Sequence, residues 1–235
     1  MKILALESSA LAASAAVCED EFLIGQFYQN TGLTHSRTLL PMAERLLETG
    51  GLTLKAIDVI AVAAGPGSFT GLRIGVSAAK GLGWALDKPC AKVSTLEAMA
   101  WNAVCVKGEL CPVMDARRSQ VYNARFVSDG ETVARIREDR AIGLDALAED
   151  LRDASGELLL VGDGADLCYR TLEPKGISLR LAPPNLRYQS AWGVARAGLE
   201  LARSGNLTTA AELAPDYHRL SQAERERAEK ENGGK

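Results

Sequence analysis

The order of apolar and polar positions predicts a strand-and-helix series that runs twice along the chain. Lys2–Leu6 is a short apolar run ending at Glu7, and small residues follow from Ser8 to Ala13. Ser14–Cys18 and Phe22–Gln29 read as second and third strands about a turn at Glu19-Asp20, an antiparallel meander. A helix is expected next, capped by Thr34 or Ser36. Leu39, Ala43, Leu46 and Leu47 share one face of it, and Arg37, Glu44, Arg45 and Glu48 take the other. Pro41 sits near its start, and Gly50-Gly51 ends it. The continuous apolar run within Ile57–Ala64 suggests a strand buried on both faces. Gly65-Pro66-Gly67-Ser68 makes a turn, and a second helix runs from about Phe69 to Leu86, where Pro89 stops it. Ala91–Val93 is a short strand, and Ser94 or Thr95 caps a third helix reaching about Cys105.

The pattern then restarts. Leu110–Met114 is an apolar strand ending at Asp115, Val121–Val127 and Thr132–Ile136 are its next two strands, and Leu144–Arg152 is a helix. Leu158–Val161 is a strand that runs into Gly162-Asp163-Gly164, with a helix expected to follow, and Ser190–Ser204 is a strong helix. Strand, acid, meander, helix, strand and glycine turn therefore occur in the same order in both halves. Glu7 corresponds to Asp115, and Gly65–Gly67 to Gly162–Gly164. This organisation implies two similar lobes of an α/β protein, residues 1–107 and 108–235, the second ending in a charged tail after Leu220.

Composition narrows the classes. The 235 residues are 47% hydrophobic and carry a net charge of -3, with no long basic stretch that would hold nucleic acid unaided. Arg117-Arg118 and the spaced Arg135, Arg137 and Arg140 read as a solvated surface. Five scattered cysteines without C-x-x-C spacing point to a reducing compartment rather than a disulfide framework, and the cytoplasm is the expected location. With two histidines, His35 and His218, far apart, no zinc site is expected. Glu7 interrupts the first apolar run too early for a signal-peptide core, and no run is long enough to span a membrane.

Three features could carry chemistry. The turn at Gly65–Ser68 stands between a buried strand and a helix N-terminus, where Gly65, Gly67 and Ser68, with Glu7, Ser8 and Ser9, could meet an anion. It lacks the lysine of a P-loop, so a plain tight turn is the competing reading. The helix beyond holds Gly71, Gly75, Gly81 and Gly83. Gly71, Gly75, Ala79 and Gly83 form a flat stripe that could pack on the protein's own sheet or receive a partner helix, with Leu72, Val76 and Lys80 beside it. Glu7 and Asp115 could hold a metal–nucleotide complex, act as an acid–base pair, or cap turns. Ser8 and Ser9 have no evident histidine–acid partner, so a serine hydrolase is not supported.

Several segments together resemble the TsaB family, the dimerisation subunit of the bacterial machinery that makes threonylcarbamoyladenosine in tRNA. They are Glu7-Ser8-Ser9, His35-Ser36, Leu39-Leu40-Pro41, Gly65 through Gly75, Lys80-Gly81-Leu82, Ser94-Thr95-Leu96, Asp115-Ala116-Arg117-Arg118, Val121-Tyr122 and Pro215-x-Tyr217-x-Arg219. The resemblance covers nearly the whole chain. It implies two tandem actin-like ATPase lobes of ribonuclease-H-like topology with mixed sheets. It also implies a relative of the catalytic subunit TsaD that does not itself transfer the threonylcarbamoyl group. The H-x-x-x-H metal pair of the catalytic relative is absent, since Leu39 follows His35 by four residues. Glu7 departs from the family's usual Asp.

The partner role thus implied falls on residues 36–50 and 70–86, with Leu39, Met42, Ala43, Leu46, Gly71, Leu72, Gly75, Val76, Ala79 and Lys80 as interface candidates. The expected partners are a TsaD-type subunit and a TsaE-type ATPase, with a homodimer left open and tRNA met only through the complex. No resident cofactor is expected, ATP or ADP at the partner junction being left open, and no metal. The alternatives are an independent actin-like kinase of small molecules, which requires ATP between the lobes, and a peptidase.

Overall fold

The computed structural model describes residues 1–154 and 156–218; Arg219 and the charged tail lie outside them. Two five-stranded mixed sheets carry the fold. The first comprises β1 (Lys2–Glu7), β2 (Ala13–Glu19), β3 (Phe22–Gln29), β4 (Val59–Gly65) and β5 (Cys90–Ser94), in the order β3-β2-β1-β4-β5. The second comprises β6 (Gly108–Asp115), β7 (Gln120–Ser128), β8 (Val133–Gly143), β9 (Leu158–Val161) and β10 (Leu179–Leu181), in the order β10-β9-β6-β7-β8. In each sheet a three-stranded antiparallel meander is extended by two parallel strands. The two orders are therefore the same order, and the doubled pattern in the sequence is a doubled topology.

The helices are α1 (His35–Thr49), α2 (Phe69–Leu86), α3 (Thr95–Asn102), α4 (Leu144–Asp150), α5 (Ala165–Leu172), α6 (Pro184–Arg187) and α7 (Ala191–Arg203). Every apolar residue of β1 and β4 is buried, so both faces of the first sheet must be covered. One face packs against α1 and α2 through Leu4, Leu6, Ile60 and Val62, meeting Leu39, Ala43, Leu46, Val76 and Ala79. The other packs against α7 through Ile3, Ala5, Ala61 and Ala63, meeting Ala191, Val194 and Ala195. The second sheet meets α3 on one face, where Leu96 and Met99 face Phe126 and Met114. It meets α4 and α5 on the other, where Leu147, Cys168 and Leu172 face Val113 and Leu160. The layers are thus helix, sheet, helix, sheet, helix.

Three parts of the chain differ from the sequence expectation. β8 runs to Gly143 rather than ending at Ile136. Its Arg135, Arg137 and Arg140 stop the apolar alternation, yet they are ion-paired to Glu97, Asp139 and Asp150. Arg137 and Arg140 share Asp150 with the buried Arg125, and Arg135 pairs separately with Glu97 and Asp139. Of the three only Arg137 stands exposed, so Arg135 and Arg140 are not the solvated surface expected. β10 and α6 carry too few apolar residues to show in the pattern. Finally, α7, which follows the second half in sequence, packs on the first sheet. The chain then continues as a strap along that lobe. Thr208 exchanges backbone hydrogen bonds with Cys90 at 2.8 and 2.9 Å, and the Asp216 N–H donates to Ala64 O at 2.7 Å.

Candidate functional site

The strand-end carboxylates cap turns. Glu7 is fully buried, and its Oε1 accepts the Ser9 N–H at 2.6 Å. Asp115 Oδ1 accepts the Arg117 N–H at 2.7 Å, the same two-residue relation in the second half. Burial pushes the Glu7 carboxyl up to about 7, opposed by the hydrogen bond from the Ser9 N–H and reinforced by Asp163. Asp163, in the second glycine turn, is likewise raised by burial to about 6, opposed by its hydrogen bond from Gln189 and reinforced by Asp115. Asp163 and Gln189 had no sequence signal of their own beyond the glycines flanking Asp163. Glu7 Oε2, Ser9 Oγ and Gln189 Oε1 are buried without a hydrogen-bond partner among the described residues.

The glycine turn is filled by the protein itself. Ser68 donates its backbone N–H to Ser9 O at 2.7 Å, and its Oγ caps α2 by accepting the Gly71 N–H at 3.4 Å. Ser8 Oγ donates to Gly71 O at 2.9 Å. A side chain at Gly65, whose φ of 148° only glycine adopts freely, would collide with the backbone of Asp216. One on Gly67 would collide with Ser9. Glu7, Ser8, Ser9, Gly65, Gly67 and Ser68 are therefore gathered in one place, where the Ser68 amide is taken up by Ser9 and the Gly71 amide by the Ser68 side chain.

The glycine stripe of α2 also faces inward. A Cβ on Gly71 would fall on the Ser8 carbonyl oxygen, one on Gly75 would lie 2.6 Å from Ser8 Oγ, and one on Gly83 would lie 2.7 Å from Cys90 Sγ. Leu72, Val76 and Ala79 are buried beside it, and Leu39, Ala43 and Leu46 are buried on α1. Of the ten interface candidates these eight, Gly71 and Gly75 included, lie in the chain's own core. Only Met42 and Lys80 remain half-buried, and Lys80 Nζ donates to the Ala211 and Leu213 carbonyls of the strap at 2.8 and 3.2 Å. The stripe is required for close packing on β1, β4 and β5.

The outer face of α2 carries a different set. Ser77, Gly81, Trp84 and Ala85 are exposed, Ile74, Ala78 and Leu82 are half-buried, and a Cβ on Gly81 would meet open space. Ile74, Ala78, Leu82 and Met42 are half-buried and rest against the core from outside. Leu40 on α1 and Trp84 are exposed large apolar residues, Trp84 at 70%. From Ile74 to Leu86 the sole charged residue is Lys80. At the position of the catalytic relative's histidine pair, His35 Nε2 bonds to Ala10 O at 2.7 Å, and Leu39 is core.

A family model described as TsaD, tRNA N6-adenosine threonylcarbamoyltransferase, matches residues 29–163. The chain is 32% identical to the tRNA threonylcarbamoyladenosine biosynthesis protein TsaB of Bacillus subtilis over 231 residues, covering 95% of this chain and 96% of that protein. It belongs to the TsaB family. The TsaB protein of Escherichia coli K12 is 34% identical over 167 residues, 70% of this chain and 72% of that one. Among solved structures, YeaZ from Pseudomonas aeruginosa superposes with a TM-score of 0.78 at 26% identity, covering 92% of this chain and 99% of that chain. A second Pseudomonas aeruginosa structure, described as similar to peptidase YeaZ, reaches 0.81 at 26% identity, covering 93% and 99%. A ROK hexokinase from Thermus thermophilus reaches 0.50 at 15% identity, over 86% of this chain and all of that chain, a likeness of fold alone. The TsaB-family protein thus has the α/β architecture of two tandem actin-like lobes, and its place is tRNA threonylcarbamoyladenosine biosynthesis. Among the described residues no helix is long and apolar enough to cross a membrane.

Proposed function

We propose that this TsaB-family protein is a non-catalytic, cytoplasmic subunit that pairs with a TsaD-type threonylcarbamoyltransferase. The pairing surface we assign is the outer face of α1 and α2, not the glycine stripe. The observation that carries this reading is the run Ile74, Ser77, Ala78, Gly81, Leu82, Trp84 and Ala85. A helix lying on an α/β sheet ordinarily presents charged residues to water. This one presents small and apolar residues around one exposed indole, the composition of an interface core. Small side chains there let a second helix approach closely.

The non-catalytic part of the proposal draws support from His35, which is held by Ala10, from Leu39, which lies in the core, and from the α2 amides used by Ser9 and Ser68. A second copy of this chain would use the same face, so self-association would compete with pairing. The test is co-purification with the TsaD-type subunit of the same organism, followed by a tRNA modification assay. Ala78→Arg is expected to abolish both pairing and modification while the chain stays folded. Full modification by this chain without the partner, or unimpaired pairing of the variant, would overturn the reading.

A further inference from the structure

Beside that face, at the first turn of α2, Phe69, Arg73 and Tyr217 form a cluster. Arg73 lies one turn on from Phe69, and its guanidinium carbon stands 3.8 Å from the Phe69 ring centroid. Tyr217 stacks on Phe69 with centroids 4.8 Å apart and planes 27° from parallel. The Tyr217 hydroxyl accepts from Arg73 Nε at 3.0 Å. The strap brings Tyr217 there, held in place where the Asp216 N–H bonds to Ala64 O at 2.7 Å.

The guanidinium is thus fixed in direction and, among the described residues, not neutralised. Among the described residues no carboxylate pairs with Arg73. The nearest acid in sequence to Tyr217, Asp216, sends its carboxylate 3.5 Å from Lys92 instead. One of five guanidinium N–H donors is used by Tyr217, which leaves the four Nη donors of this exposed side chain as a planar fork suited to a carboxylate. An oriented arginine beside a half-buried phenylalanine and an exposed tyrosine has the make-up of an interface hot spot. The same cluster adjoins the apolar face without interruption, through Thr70, Ile74 and Ser77 along α2.

We infer that Arg73, held by Phe69 and Tyr217, receives a carboxylate side chain of the partner subunit when that subunit docks on the outer face of α2. The inference rests on the pairing reading above. Arg73 is the group that meets the partner, and Tyr217 is a positioning residue that acts through it. The strap thereby makes the end of the chain a contributor to a surface formed by its first half.

The experiment is titration calorimetry of the full chain with the purified TsaD-type subunit at low and high sodium chloride, with melting temperatures measured alongside. Arg73→Ala should weaken binding by roughly 10- to 100-fold and flatten its salt dependence, with the melting temperature little changed. Arg73→Lys, which keeps the charge but not the fork, should recover part of the loss and restore the salt dependence. Tyr217→Phe, which keeps the stacking and loses the hydroxyl, should weaken binding a few-fold and lower the salt sensitivity. If Ala78→Arg abolishes binding while Arg73→Ala stays within about twofold of the native chain, the carboxylate inference falls and the face stands. If neither variant alters binding, both fall. Weakened self-association of Arg73→Ala with unchanged partner affinity also overturns the inference.

Discussion

Ser8 Oγ donates to the Gly71 carbonyl at 2.9 Å, binding the end of β1 to the first turn of α2. That contact determines what the glycines of α2 do. Gly71 and Gly75 let the helix lie directly on the Ser8-Ser9 loop, and the face left for a partner is the opposite one.

Two glycine substitutions on one helix should therefore act in opposite directions. Gly71→Ala places a methyl group on a backbone carbonyl that cannot step aside, and should destabilise by about 1–3 kcal/mol or more. Gly81→Ala meets open space and should stabilise by up to about 1 kcal/mol through helix propensity. Urea denaturation followed by far-UV circular dichroism measures both. Equal and small effects would mean the stripe is not packed as described.

The buried Glu7 predicts a pH dependence of definite sign. Its carboxyl is raised from 4.5 to about 7, so the folded state holds a proton that the unfolded state has released. Stability from this group is fully present below pH 4.5 and falls as pH rises to about 7, by about 3 kcal/mol in all. Asp163, raised from 3.8 to about 6, adds a loss of the same sign. Glu7→Gln cannot ionise and keeps an acceptor for the Ser9 N–H. The stability difference between Glu7→Gln and the native chain, measured from pH 4 to pH 8, should therefore shift in favour of the variant as pH rises. A difference flat with pH would contradict the burial of an ionisable Glu7.

The arginines of β7 and β8 make a structural prediction. Arg125 is buried and pairs with Glu109 and with Asp150, which Arg140 also holds. These contacts, the Arg140 hydrogen bond foremost, keep the Asp150 carboxyl below its ordinary range. Arg125→Met would strip one cation from between two carboxylates and should cost roughly 3–5 kcal/mol. The same variant should leave partner affinity unaltered once folded, which calorimetry at a temperature below its melting point would check.

Much of the fold was readable because its signals are local. The apolar face Leu39, Ala43, Leu46 and Leu47 on α1, the limits of β3, α2 and β9, and the two acid-ended strands all follow from periodicity and breakers within one element. What was not readable depends on pairs distant in sequence. A stripe of glycines states that something approaches closely, and whether that is Ser8 or another molecule is decided 63 residues away. Helical spacing marked Gly71, Gly75 and Ala79 as one stripe, with Leu72, Val76 and Lys80 beside it, but did not single out the stripe of Ile74, Ala78 and Leu82. It could not show which of the two stripes faces water, since both are small or apolar. The placement of α7 on the first sheet and of Tyr217 on Phe69 likewise has no local signal, because both contacts join the end of the chain to its first half.

Which face of α2 meets the partner decides the role of this helix. The most direct measurement is the dissociation constant between this chain and the TsaD-type subunit for Ala78→Arg, with the melting temperature as the control for folding. A loss of binding by more than about 100-fold at an unchanged melting temperature is the predicted result, since a buried unpaired charge is not tolerated at the centre of an interface. Native affinity in the folded variant would contradict it.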